Sequence, residues 1–320
     1  CNGAQMVVES GLIPIEDNPL PFALAHNIRR NETGHVIGTG FYNDWVHLKV
    51  ERTDTAFTQN ITESLHMPIA HGEGRFATVD AKAEESLKTG RNVAFRYCDK
   101  NGNVDENFPI TPNGALLATA AIVNDEGTIC AIMPHPERFP ESFDGDKVFQ
   151  SMKQWIEANK SPETVKIGDF SQLEKPEIKY FERTANAVYL EKKLIITDNE
   201  NFSVQSAIET FLAEKIELEK TVLFEIVGDN LDVEKLESTG LFFNPNKEFL
   251  VKEQPKSSQK FAIKDFQNDE ADHLAEQLST LLDQKISVNI YKTWNFGNTE
   301  ELLVEKTLQN RILCNPNSAE

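Results

Sequence analysis

Little in this 320-residue sequence can cross-link or chelate. Its four cysteines, Cys1, Cys98, Cys130 and Cys314, are far apart and form no Cys-x-x-Cys pair. Neither a disulfide framework nor a cysteine-based metal site is supported. Isolated thiols fit a reducing, cytoplasmic setting. Positive charge is also scarce: 32 Lys and Arg face 51 Asp and Glu, a net charge of −19. A field of that sign argues against nucleic acid and anionic membrane as partners. No apolar run approaches the ~20 residues of a spanning helix, and no signal peptide is visible. No P-loop motif for ATP phosphates occurs. What is present is a hydrophobic content of 39%, enough for two or three cored domains.

Chemistry concentrates in two places, Cys1-Asn2-Gly3 and Pro134-His135-Pro136-Glu137-Arg138. A thiol becomes a useful nucleophile when a base takes its proton, and the base works best when a third group orients it. His135 and Glu137 are two residues apart, so an extended backbone would put both on one face. Ala4 to Ser10 reads as a helix ended by Gly11. A cysteine opening that helix would feel the positive end of its dipole. The backbone N–H of Asn2 would then be placed to hold an oxyanion.

Cys1-Asn2-Gly3-Ala4-Gln5 resembles the nucleophile motif of class I, triad-type glutamine amidotransferases. Pro68-Ile69-Ala70-His71-Gly72-Glu73-Gly74-Arg75-Phe76, Pro112-Asn113-Gly114-Ala115 and Met133 to Arg138 narrow the resemblance. They are similar to the glutaminase subunit (PurQ-like) of phosphoribosylformylglycinamidine synthase, an enzyme of purine synthesis. Gly11 to Pro14 and Asn43 to Val50 are compatible with it. The resemblance covers about the first half of the chain. It implies an α/β fold with a mostly parallel sheet flanked by helices. It also implies catalysis by Cys1, His135 and Glu137, with Gln5 near the bound glutamine. His71, Glu73 and Arg75 would border the site or dock a partner; an ion-paired turn explains them equally. Ammonia would pass to an ATP- and magnesium-using synthetase (PurL-like), with no cofactor in this chain. Family members carry a strand and a Gly-rich loop before the cysteine, so the sequence reads as a fragment. One rival takes Cys1 as an N-terminal nucleophile whose own amino group is the base. Others are a glutaminase feeding a different synthetase and a non-catalytic assembly module.

The expected organisation is an amidotransferase domain over 1–158, a linker over 159–191, and two β-α-β-α units over 192–255 and 256–320. Val93 to Tyr97 and Ala120 to Val123 read as strands, and Val148, Phe149, Met152, Trp155 and Ile156 as one helical face. In the linker, Phe170, Tyr180 and Phe181 read as packing residues. The two units repeat. Their first helices, expected from Ser203 and from Asp269, start 66 residues apart, as do the second strands at Lys220 and Ile286. Asn-Pro-Asn turns begin at Asn244 and Asn315. Asn298 with Glu301 suggests a capping box for the last helix. Each unit looks like a split β-α-β, ferredoxin-like module. The pair weakly resembles the small PurS-like subunit of the same synthase. Generic modules of unrelated purpose are the alternative. The alternating strands Val222, Phe224, Ile226 and Ile286, Val288, Ile290 predict that the two sheets pack as a pair, one covering the other's open face.

Overall fold

The computed structural model describes residues 2–31, 33–138, 144–158, 160, 162, 164–169, 178–252, 259–266, 269–309, 312–315 and 319. Cys1, Phe170 and the Pro-Asn of the second Asn-Pro-Asn turn lie outside them. The chain divides into two compact units, Cys1–Glu174 and Lys175–Glu320.

The first unit begins with α1 (Asn2–Glu9), which buries Ala4 and Val8, one turn apart on one face. It stops before Gly11, whose φ of +69° a side chain would resist. Strands β1 (Ala23–His26), β2 (Ile28–Arg30), β3 (Val36–Thr39), β4 (Tyr42–Val50), β5 (Leu65–His71) and β6 (Glu73–Ala77) follow. Helix α2 (Ala81–Lys88) is capped by Asp80, whose carboxylate accepts from the N–H groups of Lys82 and Ala83. Strands β7 (Val93–Cys98), β8 (Thr119–Val123) and β9 (Cys130–Ile132) precede α3 (Asp144–Glu157).

Five strands form one sheet in the order β5-β4-β7-β8-β9, while β1 pairs with β6 and β2 with β3. Every residue of β7 and β8 is buried, as expected for strands covered on both faces. One apolar cluster joins Leu48, Leu65, Phe95 and Val123 to Val148 of α3. A second joins Ala4 and Val8 of α1, Ala83 and Leu87 of α2, and Val93, Ile122 and Met133. Helices therefore cover both faces, and the α/β class holds. The mostly parallel sheet does not: every pairing in it is antiparallel. Parallel neighbours need a crossover, usually a helix. Here α2 delivers β7 beside β4 instead of beside β5, and β8 turns directly into β9 through Gly127, whose N–H donates to the Asn124 carbonyl.

The second unit contains β10 (Val188–Leu194), α4 (Asn199–Leu212), β11 (Leu218–Val227), α5 (Val233–Glu237) and β12 (Glu248–Leu250). It repeats with β13 (Gln259–Ile263), α6 (Asp269–Leu282), β14 (Ser287–Phe296) and α7 (Glu301–Gln309). Helix α4 starts earlier than its apolar pattern suggests, because Asp198 accepts from the Asn201 N–H and caps it there. The Asn298 capping box is not formed. Asn298 donates its backbone N–H to Glu217, and α7 begins three residues later at Glu301. Tyr180 is not a packing residue, being 98% exposed, whereas Phe181 meets the Tyr291 ring edge-on at 5.2 Å.

The two repeats share one antiparallel sheet, β12-β10-β11-β14-β13. They join edge to edge: β11 and β14 pair along ten residues each, from Leu218 opposite Phe296 to Val227 opposite Ser287. The expected face-to-face packing is thereby corrected, because pairing the central strands removes two exposed edges at once. The helices pack across the seam between the repeats. Ile208 of α4 lies in one cluster with Ile216 and Leu218 of its own repeat and with Trp294, Phe296 and Val304 of the second. Reciprocally, Ala271, Leu274 and Leu278 of α6 cluster with Ile286 and Val288 of their own repeat and with Leu190, Phe224, Ile226 and Leu236 of the first. The opposite sheet face is polar and carries several paired groups. Glu225 accepts from the Tyr189 hydroxyl at 2.5 Å and the Asn289 amide at 2.7 Å, and Lys260 pairs with Glu191 at 2.5 Å. No described helix is long and apolar enough to cross a membrane.

Candidate active site

His135 follows β9 and is anchored to another strand. Its N–H donates to the Pro68 carbonyl of β5 at 2.9 Å. The segment is a turn, not the extended run that the two-residue spacing suggested. The Arg138 N–H donates back to the His135 carbonyl at 3.1 Å. Pro136 sits at the second position of that turn, where its fixed φ is favourable. The backbone of α3 comes so close behind that a Cβ on Gly145 would lie 2.0 Å from the Pro136 carbonyl oxygen. Curling the chain brings His135 Nδ1 within 2.6 Å of Glu137 Oε1. A carboxylate only accepts, so Nδ1 carries the proton and Nε2 presents a lone pair.

The His135 side chain is 14% exposed and Glu137 54%. Partial burial would raise the Glu137 carboxyl. Hydrogen bonds from its own backbone N–H and from His135, with Arg138 at 3.7 Å, hold it below the usual carboxylate range. His135 Nε2 is buried and has no hydrogen-bond partner among the described residues. A base oriented by a carboxylate, with its reactive nitrogen open, can accept a thiol proton. Asn2 opens α1, so its N–H belongs to the first turn, which lacks intrahelical acceptors. Cys98 and Cys130 are poorly suited to attack: burial raises the thiol of Cys98 and pushes that of Cys130 up to about 12.

Gln5 reaches from α1 to the start of β6, where its amide donates to Glu73 Oε2 at 3.0 Å. Glu73 also meets His26 Nε2 at 3.3 Å. Arg75 is buried, and its Nε donates to the His26 carbonyl at 2.8 Å. His71 is 1% exposed. Burial, the largest cause, lowers its pKa to about 4. The β5–β6 segment thus links α1, through Glu73, to β5, whose Pro68 anchors His135. It is held by two residues that carried no sequence signal of their own or only part of one. Buried Asn27 donates to the carbonyls of Gly40 and His71 and accepts the Gly74 N–H at 2.9 Å. Asn113 of the Pro-Asn-Gly-Ala motif donates to the Gly74 carbonyl at 2.7 Å. Gly74 is required by contact, since a Cβ there would sit 2.2 Å from His71 Nδ1.

Two open clefts of about 540 and 520 Å³ lie elsewhere, around Arg52, Asp54 and Arg91 and around Gln59, Trp155 and Lys160. Arg52 and Arg91 are already paired with Asp54 and Asp125. Neither cleft is lined by His135, Glu137 or His71. Among the described residues no three His, Cys, Asp or Glu side chains gather as metal ligands.

Residues 1–164 match the CobB/CobQ-like glutamine amidotransferase domain. The chain belongs to that family. Curated relatives include phosphoribosylformylglycinamidine synthase subunit PurQ of Methanothrix thermoacetophila, 35% identical over 178 residues, or 50% of this chain and 67% of that one. The same subunit of Saccharolobus solfataricus is 41% identical over 139 residues, or 43% and 52%. Among solved structures, PurLQS of Thermotoga maritima matches at 33% identity and a TM-score of 0.33, covering 48% of this chain and 59% of that one. This amidotransferase chain spans between about half and two thirds of the length of these curated relatives.

Proposed function

We propose that this chain hydrolyses glutamine at a Cys-His-Glu site and supplies ammonia to formylglycinamide ribonucleotide amidination, the PurQ role in phosphoribosylformylglycinamidine synthase. The observation that carries the reading is the His135–Glu137 pair at 2.6 Å with His135 Nε2 buried and open. In this reading His135 Nε2 removes the Cys1 thiol proton and the thiolate attacks the glutamine carboxamide carbon. The Asn2 N–H donates to the oxyanion. His135 returns the proton to the departing nitrogen, ammonia leaves, and water attacks the thioester with His135 again as base. Glutamate and the free thiol are restored. Glu137 keeps the Nδ1–H tautomer throughout.

The ATP- and magnesium-dependent step belongs to a PurL-like synthetase partner in this proposal. The two repeats, whose first strands are β10 from Val188, four residues inside the 159–191 span expected as linker, and β13 from Gln259, serve as ferredoxin-like, PurS-like modules in that complex. A cytoplasmic location suits an enzyme with an unpaired catalytic thiol. The test compares ammonia sources with the synthetase present. Glu137→Gln should lose glutamine-dependent amidination while ammonia-dependent amidination stays at the wild-type rate. Equal glutamine-dependent rates in wild type and variant would overturn the proposal.

A further inference from the structure

The hydrogen bonds around His71 fix its tautomer. Asn27 Nδ2 is identified by its two carbonyl partners, Gly40 at 3.1 Å and His71 at 2.6 Å. The other amide atom is therefore the oxygen, and it already accepts the Gly74 N–H. His71 Nδ1 lies 3.1 Å from that oxygen. Only a protonated Nδ1 makes this a bond, so Nε2 is left with a lone pair. Nε2 is buried and has no hydrogen-bond partner among the described residues. A buried acceptor without a donor costs about 1–3 kcal/mol, so such a position calls for a ligand or a water.

The surroundings select the donor. In the first unit His135 Nε2 is a second buried imidazole nitrogen without a partner among the described residues, near enough that a proton placed on it acts on His71. His135 is bonded through its N–H to Pro68 of the strand that ends at His71. In the glutaminase reading, on which this inference rests, the departing nitrogen must come to His135 to be protonated. That nitrogen keeps two further N–H groups, which need acceptors in a buried site. We infer that His71 Nε2 accepts a hydrogen bond from the carboxamide NH₂ of glutamine and holds that nitrogen as it becomes ammonia. His71 stays neutral at working pH, its pKa held near 4 chiefly by burial, so it does not compete for the proton His135 delivers. No bond is made or broken at His71. Its contribution is selectivity for a nitrogen leaving group.

The experiment compares two substrates with the synthetase bound: glutamine and glutamate γ-methyl ester, whose methanol leaving group has no N–H to offer. His71→Leu should reduce kcat/KM for glutamine by on the order of tenfold to a hundredfold, the loss of one buried hydrogen bond. The ester rate should stay within about threefold of wild type. His71→Gln, which can present an amide oxygen, should recover part of the glutamine rate and serves if the leucine variant does not fold. Equal losses on both substrates would mean that His71 only supports the fold, and no loss on either would mean that water fills the site; each overturns the inference. A wild-type complex that hydrolyses neither substrate, yet makes product from ammonia, would instead sink the glutaminase reading itself.

Discussion

Burying His71 as a neutral ring makes the stability of the first unit depend on pH. In the unfolded chain a histidine titrates near 6.5, while in the fold His71 titrates at about 4 because burial disfavours its charged form. The folded pKa is therefore depressed. Between the two values the unfolded chain binds a proton that the folded one does not, so unfolding free energy rises with pH there. Acidification from about 6.5 to 4 thus removes stability, and the loss saturates below 4. The difference of about 2.5 pH units corresponds to about 3 kcal/mol at the limit. Other groups add slopes of their own, so the measurement is a difference. Urea unfolding followed by pulse proteolysis, read on peptides spanning 65–77, should be compared for wild type and His71→Gln across this range. The stability gap between them should move toward the variant by about 3 kcal/mol as pH falls. Parallel curves would refute the claim that His71 is held neutral by its surroundings.

Gly74→Ala should displace the His71 ring, because the added Cβ lies 2.2 Å from Nδ1; the ring ¹⁵N signals should lose the fixed Nδ1–H pattern. Unchanged signals would mean the β5–β6 segment absorbs the methyl elsewhere. Deleting residues 256–320 should unfold the first repeat as well, since α6 shares its core and β14 pairs with β11; a cooperative, well-dispersed 192–255 segment would contradict the shared core. Leu278→Ala should cost roughly 2–5 kcal/mol in the second unit, read from its urea midpoint, because Leu278 is fully buried beneath the first repeat's strands. Glu137→Gln should slow glutamine hydrolysis by about 10⁴, as loss of a base-orienting carboxylate does in serine triads, while leaving thiol alkylation in place.

Short-range information was legible in the sequence. The apolar runs of β7 and β8 marked strands buried on both faces, and alternation in β11 and β14 marked strands with one apolar face. The motifs named the histidine and carboxylate before any geometry was known. Direction and partnership were not legible, because they depend on contacts distant in sequence. Nothing in Val93 to Cys98 says that its neighbours run antiparallel. The i and i+2 spacing of His135 and Glu137 brought them together, but through a turn closed by Arg138, which an extended reading misses. Asn27 was invisible for a related reason. A single asparagine between short strands gains meaning only when the fold sets it against Gly40, His71 and Gly74. The repeat was visible as a periodicity, whereas the packing of α4 and α6 across the seam follows from the pairing of β11 with β14.

The central claim is a thiol site at Cys1 served by His135 and Glu137, and covalent trapping tests it most directly. The protein, in complex with its synthetase, should be treated with a glutamine-analogue diazo-ketone with and without excess glutamine, then mapped by peptide mass. The account predicts one adduct, on Cys1, suppressed by glutamine and slowed by His135→Ala. An adduct on Cys98, Cys130 or Cys314, or labelling of Cys1 indifferent to glutamine and to His135, would contradict it.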